Sequence, residues 1–426
     1  MTTRLPLGLN AWRWLGMAAT PFAPVLLRQR AARGKEDPAR MAERLGHAGV
    51  ARPEGELIWI HGASVGESLA ALPLIERLVA EGSSVLVTSG TVTSAGMMQA
   101  RLPKGAIHQY VPLDTPGAAA RFLDHWRPQM GLFVESDLWP NLLLEARRRG
   151  IRLALINARI SERSATGWKR APRMAEALLG AFDVILAQDE DFAARFRSLG
   201  ARAVTVAGSL KADAPPLSCD EAALRALQEA IGARPLLLAA QTHPGEDETV
   251  LPAHDALRAR FPELLTIIVP RHVERGGDIA MLCGNRKVAR RSLDEPVTTG
   301  TAIYVADTMN ELGLFYRLSR FCFLGGTLVP MHGHNPLEPA ALNCAVLAGP
   351  SRANSARAFE AVMGAQGFGD VHSSHDIARE AERLLLDPDL ARAAGEAAAK
   401  GAARLAGAVE KIIAAVKSLS ASHARP

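Results

Sequence analysis

Short apolar runs alternate with helix-like segments along most of the chain, and this alternation limits the fold more than any other feature. The stretches between the runs, such as LAALPLIERLVAEG, carry apolar residues at helical spacing. Alternating strands and helices are typical of a parallel sheet covered by helices on both faces. The first series of strand-like runs is ELIWIHG, SSVLVTSG, AIHQYVPL, MGLFVES, RLALINAR, DVILAQ and AVTVAGS.

A second series follows a break at KADAPPLSCDE, where a Pro-Pro pair predicts a linker. A chain of 426 residues also exceeds the size of one ordinary hydrophobic core. We therefore predict an α/β protein in which two doubly wound, Rossmann-like domains, residues 46–213 and 214–426, face each other across a cleft. The final helix, around residues 402–419, is expected to pack back on the first domain. The second series of runs is RPLLLAAQT, LLTIIVPRH, KVARRS, TAIYVADT, RFCFLGG, AVLAGP and FGDVHS.

Residues 1–45 form a separate segment that is largely apolar from Leu5 to Leu27 and then basic. Prolines and Arg13 interrupt the apolar part, which is marginal against the roughly 20 residues that a spanning helix needs. No small-residue cleavage site follows it, which argues against a secretory signal. We interpret the segment as a membrane-surface anchor or short span that is attracted to anionic lipid, with the rest of the chain in the cytoplasm; a helix packed on the first domain is the alternative. The basic residues are Arg28, Arg30, Arg33 and Lys35.

Composition and motifs exclude several classes of protein. The net charge is +5, but the basic residues are dispersed and aromatic residues make up only 5% of the chain, so nucleic acid is not expected as a partner. Neither G-x-G-x-x-G nor G-x-x-x-x-G-K-[ST] occurs, which disfavours dinucleotide oxidoreductases and P-loop NTPases. Four widely spaced cysteines indicate reduced thiols of a cytosolic protein. His332 and His334 lack a second ligand cluster, so they are interpreted as loop histidines near a ligand rather than as a metal site.

Glu67, in the stretch IHGASVGES, is the first candidate functional residue. Ser64 followed three residues later by a glutamate is the pattern of a capping box at a helix start. The same position lies at a strand-to-helix corner, where open parallel sheets bind ligands. At this point both interpretations of Glu67 stand.

Polar residues also end or follow other predicted strands. Since the carboxyl ends of parallel strands meet at one edge of a sheet, their presence in both halves favours a site in the cleft between the domains. These residues are Glu135, Asn157, Arg159, Lys211, Thr242, His243, Arg271 and His272.

The stretch GGTLVPMHGHNPLEPAAL is the most informative part of the second half. Asn335 can cap a helix whose first residue is Pro336, which would put Glu338 at the third helical position. The upstream glycines are expected to leave backbone amides bare, and bare amides beside a helix start can hold a phosphate. Glu338 would then accept hydrogen bonds from ribose hydroxyls, or it would simply cap its helix.

Together these stretches resemble the 3-deoxy-D-manno-octulosonic acid (Kdo) transferases, bacterial membrane-associated glycosyltransferases that act on lipid A precursors. The resemblance covers almost the whole chain. Two small departures are GSLKAD, where asparagine is common at the second position, and Asn310, where glycine is usual. The motifs that carry it are IHGASVGE, TSGTVTSA, PLDTP, FVESDLWPNLL, INARISERS, GSLKAD, THPGEDE, VPRHVER, DTMNELGLFY and GGTLVPMHGHNPLEPA.

The resemblance implies a GT-B fold in which the first domain holds the acceptor and the second holds the donor, CMP-Kdo. It implies that Glu67 is the catalytic base of an inverting transfer to the lipid A precursor in lipopolysaccharide core biosynthesis. Glu135 and Lys211 are assigned to stabilisation of the transition state, and no metal or other cofactor is expected. The residues implied in CMP binding are Pro270, Arg271, Met309, Asn310, Glu311, Asn335, Pro336, Leu337 and Glu338.

Two other readings remain open at this point. One is a different GT-B enzyme, such as a lipid-linked sugar transferase or a nucleotide-sugar epimerase that uses a UDP donor. The other is a noncatalytic membrane-surface protein that binds nucleotide or lipid.

Overall fold

A computed structural model of the protein describes residues 5–353, 355–364 and 366–421. The chain forms two compact units. Unit 1 contains the chain up to Ala214 together with the segment from Ala406 onward, and unit 2 is Pro215–Leu405. The first four residues of the predicted N-terminal segment and the last five of the predicted second domain lie outside the described residues.

Unit 1 is built on a seven-stranded parallel sheet. Its strands are β1 (Leu57–His61), β2 (Ser84–Ser89), β3 (Ala106–Tyr110), β4 (Met130–Val134), β5 (Arg152–Ala158), β6 (Val184–Ala187) and β7 (Val204–Val206). They lie in the order β3-β2-β1-β4-β5-β6-β7. Every residue of β1 and β4 is buried, because helices cover both faces. The strand order reverses between β1 and β4, so their carboxyl ends form a topological switch point, where sheets of this type bind ligands.

Helices pack on both faces of this sheet. Trp59 of β1 belongs to the core on one face, with Phe122 and Phe133, while its neighbours Ile58 and Ile60 belong to the core on the other face. This division follows from the period of two along a strand. The helices are α1 (Leu7–Ala19), α2 (Ala23–Ala31), α3 (Met41–Arg44), α4 (Val65–Ala70), α5 (Leu72–Ala80), α6 (Val92–Arg101), α7 (Pro116–Trp126), α8 (Pro140–Arg148), α9 (Glu162–Trp168), α10 (Pro172–Leu179) and α11 (Glu190–Ser198).

The N-terminal helices pack against unit 1 along one side. Leu9 of α1 is fully buried, Trp12 Nε1 donates to Asp114 at 2.8 Å, and Arg13 forms an ion pair with Glu145 at 2.8 Å. Among the described residues, no helix combines the length and the apolar content needed to cross a bilayer.

Unit 2 contains a six-stranded parallel sheet. Its strands are β8 (Leu236–Thr242), β9 (Leu265–Pro270), β10 (Val288–Arg290), β11 (Ile303–Val305), β12 (Phe321–Leu324) and β13 (Ala345–Ala348). They lie in the order β10-β11-β9-β8-β12-β13. Its helices are α12 (Glu221–Ile231), α13 (Asp247–Arg258), α14 (Gly276–Leu282), α15 (Leu312–Leu318), α16 (Leu337–Ala340), α17 (Ala356–Met363), α18 (Ser374–Leu386) and α19 (Pro388–Ala403). All four cysteines are free thiols, and three of them are buried.

One predicted strand is wrong. The run FGDVHS, residues 368–373, forms no regular strand: it pairs with β13 through an isolated bridge between Asp370 and Ala348 and through backbone hydrogen bonds of Ala348 with Gly369 and Val371. Gly367 lies so close to the carbonyl of Val362 that a Cβ there would sit 2.0 Å from its oxygen, and Phe368 has a φ of 152°. The positive φ of Phe368 takes the backbone out of the extended region at the start of the run, so its pairing with β13 is irregular.

The last helix, α20 (Ala408–Ala421), belongs to unit 1. Its buried residues Ile412, Ile413 and Val416 join the core that contains Leu74. Asp213 accepts hydrogen bonds from the amides of Gly407 and Val409 at 2.5 and 2.6 Å, which caps the start of the helix. The segment from residue 406 onward is therefore part of unit 1.

Candidate active site

Glu67 lies in the first turn of α4, directly after β1. Ser64 Oγ accepts a hydrogen bond from the Glu67 amide at 3.3 Å. The Glu67 carboxylate in turn accepts from Ser64 Oγ and from the Ala63 amide, both at 2.8 Å. The capping interaction is therefore present, and it holds the carboxylate in one orientation while the side chain stays half-buried. A carboxylate has about four acceptor positions, so this cap leaves Glu67 able to accept a further hydrogen bond.

Glu135 follows β4 and is 7% exposed, with a left-handed backbone at a φ of 67°. Arg159, at the end of the neighbouring strand β5, donates from Nε to Glu135 Oε2 at 2.7 Å. Burial raises the pKa of the Glu135 carboxyl, Arg159 opposes that rise, Glu67 adds to it and Lys211 lowers it. Glu67 and Lys211 therefore lie near enough to Glu135 for their charges to affect its pKa.

Asp137 and His61 form a contact in this site that sequence reasoning missed. Burial, followed by the charges of Glu67 and Glu135, raises the pKa of Asp137 to about 6. Burial lowers the pKa of the fully buried His61 to about 3, so its imidazole is neutral. His61 Nε2 and Asp137 Oδ2 are 3.8 Å apart, which is too long for a hydrogen bond. This is therefore a polar contact and not an ion pair.

Asn157 positions the segment that carries Lys211. Its side chain is fully buried in β5, and its Oδ1 accepts from the Leu210 amide at 3.0 Å. Lys211 is exposed in the 3-10 turn Leu210–Ala212. The polar end of β5 thus has two different roles, because Asn157 holds the Lys211 turn while Arg159 pairs with Glu135.

The predicted CMP-binding residues lie at strand ends in unit 2. Pro270 is the last residue of β9, and the exposed Arg271 follows it. Met309, Asn310 and Glu311 form the loop before α15. Asn310 has a left-handed backbone with a φ of 64°, which explains why asparagine can replace glycine there.

Glu311 is already engaged by a cation that the sequence analysis did not identify. Arg291 donates to both carboxylate oxygens of Glu311, and Thr308 Oγ1 donates to one of them. The hydrogen bonds from Arg291 are the main reason why the pKa of Glu311 is lowered. The neighbouring Arg-Arg pair in KVARRS was the available signal, but its partner could not be read from the sequence.

The Asn335–Glu338 segment packs beside the end of β8. Asn335 Oδ1 accepts from the Leu337 amide at 3.2 Å, so Asn335 does cap the turn, although helix α16 begins at Leu337 and not at Pro336. Asn335 Nδ2 and Gln241 Nε2 donate to the two oxygens of Glu338 at 3.4 and 3.5 Å. Glu338 is therefore held from two sides by side-chain amides.

The expectation of bare amides in the glycine stretch is wrong. The amides of Gly326, Thr327 and Leu328 all donate to the carboxylate of Glu246. Glu246 is fully buried and comes from the THPGEDE motif after β8. The sequence analysis missed it because nothing local distinguishes it from the other acidic residues of that motif.

Two histidines of these loops form a hydrogen bond with each other. The Nε2 atoms of His243 and His334 are 2.9 Å apart, and the rings stack at 5.1 Å. Burial and the neighbouring His243 lower the pKa of His334 to about 4, so the pair carries no extra proton at neutral pH. Across the part of the chain that the structure describes, no group of three or more His, Cys, Asp or Glu side chains is arranged to hold a metal ion.

Two Rossmann-like units with polar groups at their strand ends define the GT-B class of sugar-nucleotide enzymes. The UDP-GlcNAc 2-epimerase of Neisseria meningitidis bound to UDP-GlcNAc matches with a TM-score of 0.59 at 13% identity, over 85% of this chain and 100% of that one. A glycosyltransferase of Rickettsia africae matches with a TM-score of 0.57 at 12% identity, over 86% of this chain and 99% of that one. At these identities the likeness concerns the fold alone.

Sequence comparison narrows the class. The profile of the 3-deoxy-D-manno-octulosonic-acid transferases matches residues 39–214. The 3-deoxy-D-manno-octulosonic acid transferase of Haemophilus influenzae is 35% identical, over 82% of this chain and 83% of that protein. The chain therefore belongs to the Kdo transferase family of glycosyltransferases.

Proposed function

We propose that this protein transfers Kdo from CMP-Kdo to a sugar hydroxyl of a lipid A precursor, with inversion at the anomeric carbon of Kdo. Membership in the family supports the reaction class. The observation that carries the mechanism is the half-buried Glu67 carboxylate, fixed by two hydrogen bonds and electrostatically coupled to Glu135.

Glu67 acts as the general base. The proton of the acceptor hydroxyl moves to a Glu67 oxygen while the hydroxyl oxygen forms a bond to the anomeric carbon of Kdo. The bond between that carbon and the phosphate oxygen breaks, and its electron pair leaves with CMP. A positioned base of this kind typically contributes roughly 10²–10⁴-fold to the rate.

The groups around Glu67 balance charge as the reaction proceeds. Lys211 supplies an exposed ammonium group, and Glu135 holds the guanidinium of Arg159 at 2.7 Å. In this scheme Glu135 orients a cation, so that Arg159 and Lys211 can stabilise the negative charge of the transition state.

The strand ends of unit 2 bind CMP. Arg271 is exposed and supplies a cation for the phosphate. Glu338, which side-chain amides hold in place, accepts hydrogen bonds from the ribose hydroxyls. Met309 and Asn310 line the nucleotide, while Glu311 shapes the loop through its pairing with Arg291. Cationic side chains neutralise the leaving phosphate here, so the scheme needs no metal or other cofactor.

The N-terminal helices dock on an anionic membrane surface at the cytoplasmic face of the inner membrane. One side of α1 and α2 packs on unit 1, while the other presents large apolar side chains to solvent. Arg28 in the last turn of α2, and Arg33 and Lys35 directly after that helix, are exposed. An apolar face next to basic residues is typical of helices that lie in the lipid interface. The exposed apolar residues include Leu7, Trp12, Trp14, Leu15, Phe22, Val25 and Leu26.

Vesicle sedimentation tests the membrane surface. The protein should sediment with vesicles that contain phosphatidylglycerol and much less with phosphatidylcholine alone. Changing both Trp14 and Phe22 to Glu should abolish sedimentation, while Met281→Glu, which alters an equally exposed apolar residue of unit 2, should not. Equal sedimentation of the double variant would contradict this docking surface.

A product assay tests the reaction. Purified protein, CMP-Kdo generated in situ and tetraacylated lipid A precursor should yield a product whose mass has increased by at least one Kdo residue. Calorimetry should show binding of CMP in preference to UDP. Selective binding of UDP would favour a different sugar-nucleotide enzyme, and binding without turnover of any donor would favour a noncatalytic role.

A further inference from the structure

Four backbone amides converge on the single carboxylate of Glu246. Its Oε2 accepts from the amides of His243 and Gly326 at 3.0 and 2.7 Å. Its Oε1 accepts from the amides of Thr327 and Leu328, both at 3.0 Å. The side chain is completely buried, so these donors take the place of the water that an ionised carboxylate would otherwise need.

These hydrogen bonds tie together two loops that follow adjacent strands of the sheet. His243 and Glu246 follow β8, while Gly326, Thr327 and Leu328 follow β12. The loops approach so closely that a Cβ on Gly325 would lie 2.3 Å from the carbonyl oxygen of Gln241. Gly325 permits this close approach because it has no side chain, and the Glu246 carboxylate keeps the two loops together.

The residues implied in donor binding lie in, or next to, the same two loops. The four hydrogen bonds to Glu246, called the clamp below, lie at the start of the segment that leads to His334, Asn335 and Glu338. Gln241, in β8, donates a hydrogen bond to Glu338. Gly326, with a φ of 69°, leaves room for the His334 ring, 3.1 Å from where its Cβ would be. Loss of the clamp would let the β8 and β12 loops separate and would misplace these groups.

We propose that Glu246 is a positioning residue for the donor nucleotide: its carboxylate clamps the loops after β8 and β12 so that Gln241, Asn335 and Glu338 meet the ribose in the correct geometry. This inference rests on the proposed binding of CMP by unit 2. It also implies that the amides of Gly326 to Leu328 serve the protein itself and not the phosphate of the ligand.

The chemistry of glutamate explains why other residues would fail. Both oxygens of a carboxylate only accept hydrogen bonds, and together they can serve four donors. In Glu246→Gln one of those oxygens becomes an NH₂ group that faces two amide N–H groups, so two donors lose their acceptor. An aspartate would keep both carboxylate oxygens, but its side chain is one methylene shorter and would not reach all four amides.

The first test measures CMP affinity by calorimetry on folded protein. Glu246→Gln should weaken CMP binding at least tenfold, and the KM for CMP-Kdo should rise more than kcat falls. Leu384→Ala, in the core of unit 2, is the matched control, since it opens a cavity and changes none of the groups that hydrogen-bond to Glu246. The control should lose stability but bind CMP within twofold of the parent protein. Equal affinity in Glu246→Gln and the parent, or equal losses in Glu246→Gln and Leu384→Ala, would overturn the positioning role.

The second test needs no variant. Hydrogen exchange at Gly326, Thr327 and Leu328 should be slow without ligand and unchanged when CMP is added. Protection that develops only on adding CMP would overturn the proposal, because the amides would then belong to the ligand. If the parent protein bound no CMP at all, the proposed function would be wrong. The exchange rates measured without ligand would still test the hydrogen bonds to Glu246, so the two failures can be told apart.

Discussion

Arg159 Nε donates to Glu135 Oε2 at 2.7 Å and so joins the ends of two neighbouring strands, β4 and β5. The carboxylate is almost fully buried, whereas the guanidinium keeps 40% of its side chain exposed. Burial of the carboxylate raises its pKa, while the charge and the hydrogen bond of Arg159 oppose that rise. From the sequence alone Glu135 could either perturb another acid or orient a cation, and this contact supports the second role.

Arg159→Met should destabilise the protein in a pH-dependent way. Glu135 would lose its cation, its pKa would rise further, and the folded state would bind a proton more readily than the unfolded state. The loss should therefore be largest near pH 8, at about 1–2 kcal/mol after allowing for solvent exposure of the arginine, and smaller near pH 5. Urea denaturation measures it. Arg163→Met, at an exposed position on α9, is the control and should change stability by less than about 0.5 kcal/mol at either pH. A loss independent of pH would contradict this account.

Glu67→Gln should fold normally and lose transfer by roughly a hundredfold or more, because the amide can still bond Ser64 and Ala63 but cannot accept the hydroxyl proton. Ser64→Ala separates capping from catalysis, since it removes the cap and leaves the carboxylate. That variant should lose about 1 kcal/mol of stability. Its loss of turnover should be much smaller than that of Glu67→Gln. Near-normal turnover of Glu67→Gln would remove the base assignment.

The Asp137→Asn variant should become more stable relative to the parent protein as pH rises. The folded-state pKa of Asp137 is about 6, above its ordinary value of 3.8, so the folded protein holds this proton more tightly than the unfolded chain. The stability that Asp137 contributes is thus present at low pH and is lost as pH rises through about 6. Because its side chain is 34% exposed, we expect the variant to gain only about 1 kcal/mol on the parent between pH 4 and pH 8. Parallel stability curves from denaturation across that range would contradict the shift.

Asp213→Ala should loosen the start of α20. The variant removes the acceptor for the amides of Gly407 and Val409 and should cost about 1–2 kcal/mol. Hydrogen exchange should accelerate in the first turn of α20 and stay unchanged in α19. Asp213→Asn keeps one acceptor oxygen and should recover part of the protection. Unchanged exchange in the alanine variant would show that packing of Ile412 and Ile413 alone fixes this helix.

Asn310→Gly should leave stability within a few tenths of a kcal/mol, since glycine adopts a φ of 64° without strain. Asn310→Val places a β-branched residue in the left-handed region and should cost about 1–2 kcal/mol. Both values come from urea denaturation. CMP affinity measured alongside distinguishes backbone from side-chain roles, and a tenfold loss in the glycine variant would assign a direct contact to the asparagine side chain.

Much of the fold could be predicted because its signals are local. All thirteen strands lie within apolar runs that the alternation identifies. The run at residues 368–373 pairs only irregularly, because Phe368 leaves the extended region of backbone conformation although the composition of the run is strand-like. The positions of Glu67 and Asn335 at helix starts followed from capping patterns, which involve neighbours two to three residues apart.

The amino-acid order alone determined which segments become strands and helices, and which of their ends carry acids, amides and cations. The tertiary structure alone decided the partners: Arg159 for Glu135, Arg291 for Glu311, and Glu246 for amides as far as 82 residues away. Periodicity and capping are set by atoms within one or two turns of the chain. A hydrogen bond between distant loops depends on the order of strands in the sheet. For this reason the amides of the glycine stretch, which the sequence had suggested for phosphate binding, are bound by the carboxylate of Glu246 in THPGEDE.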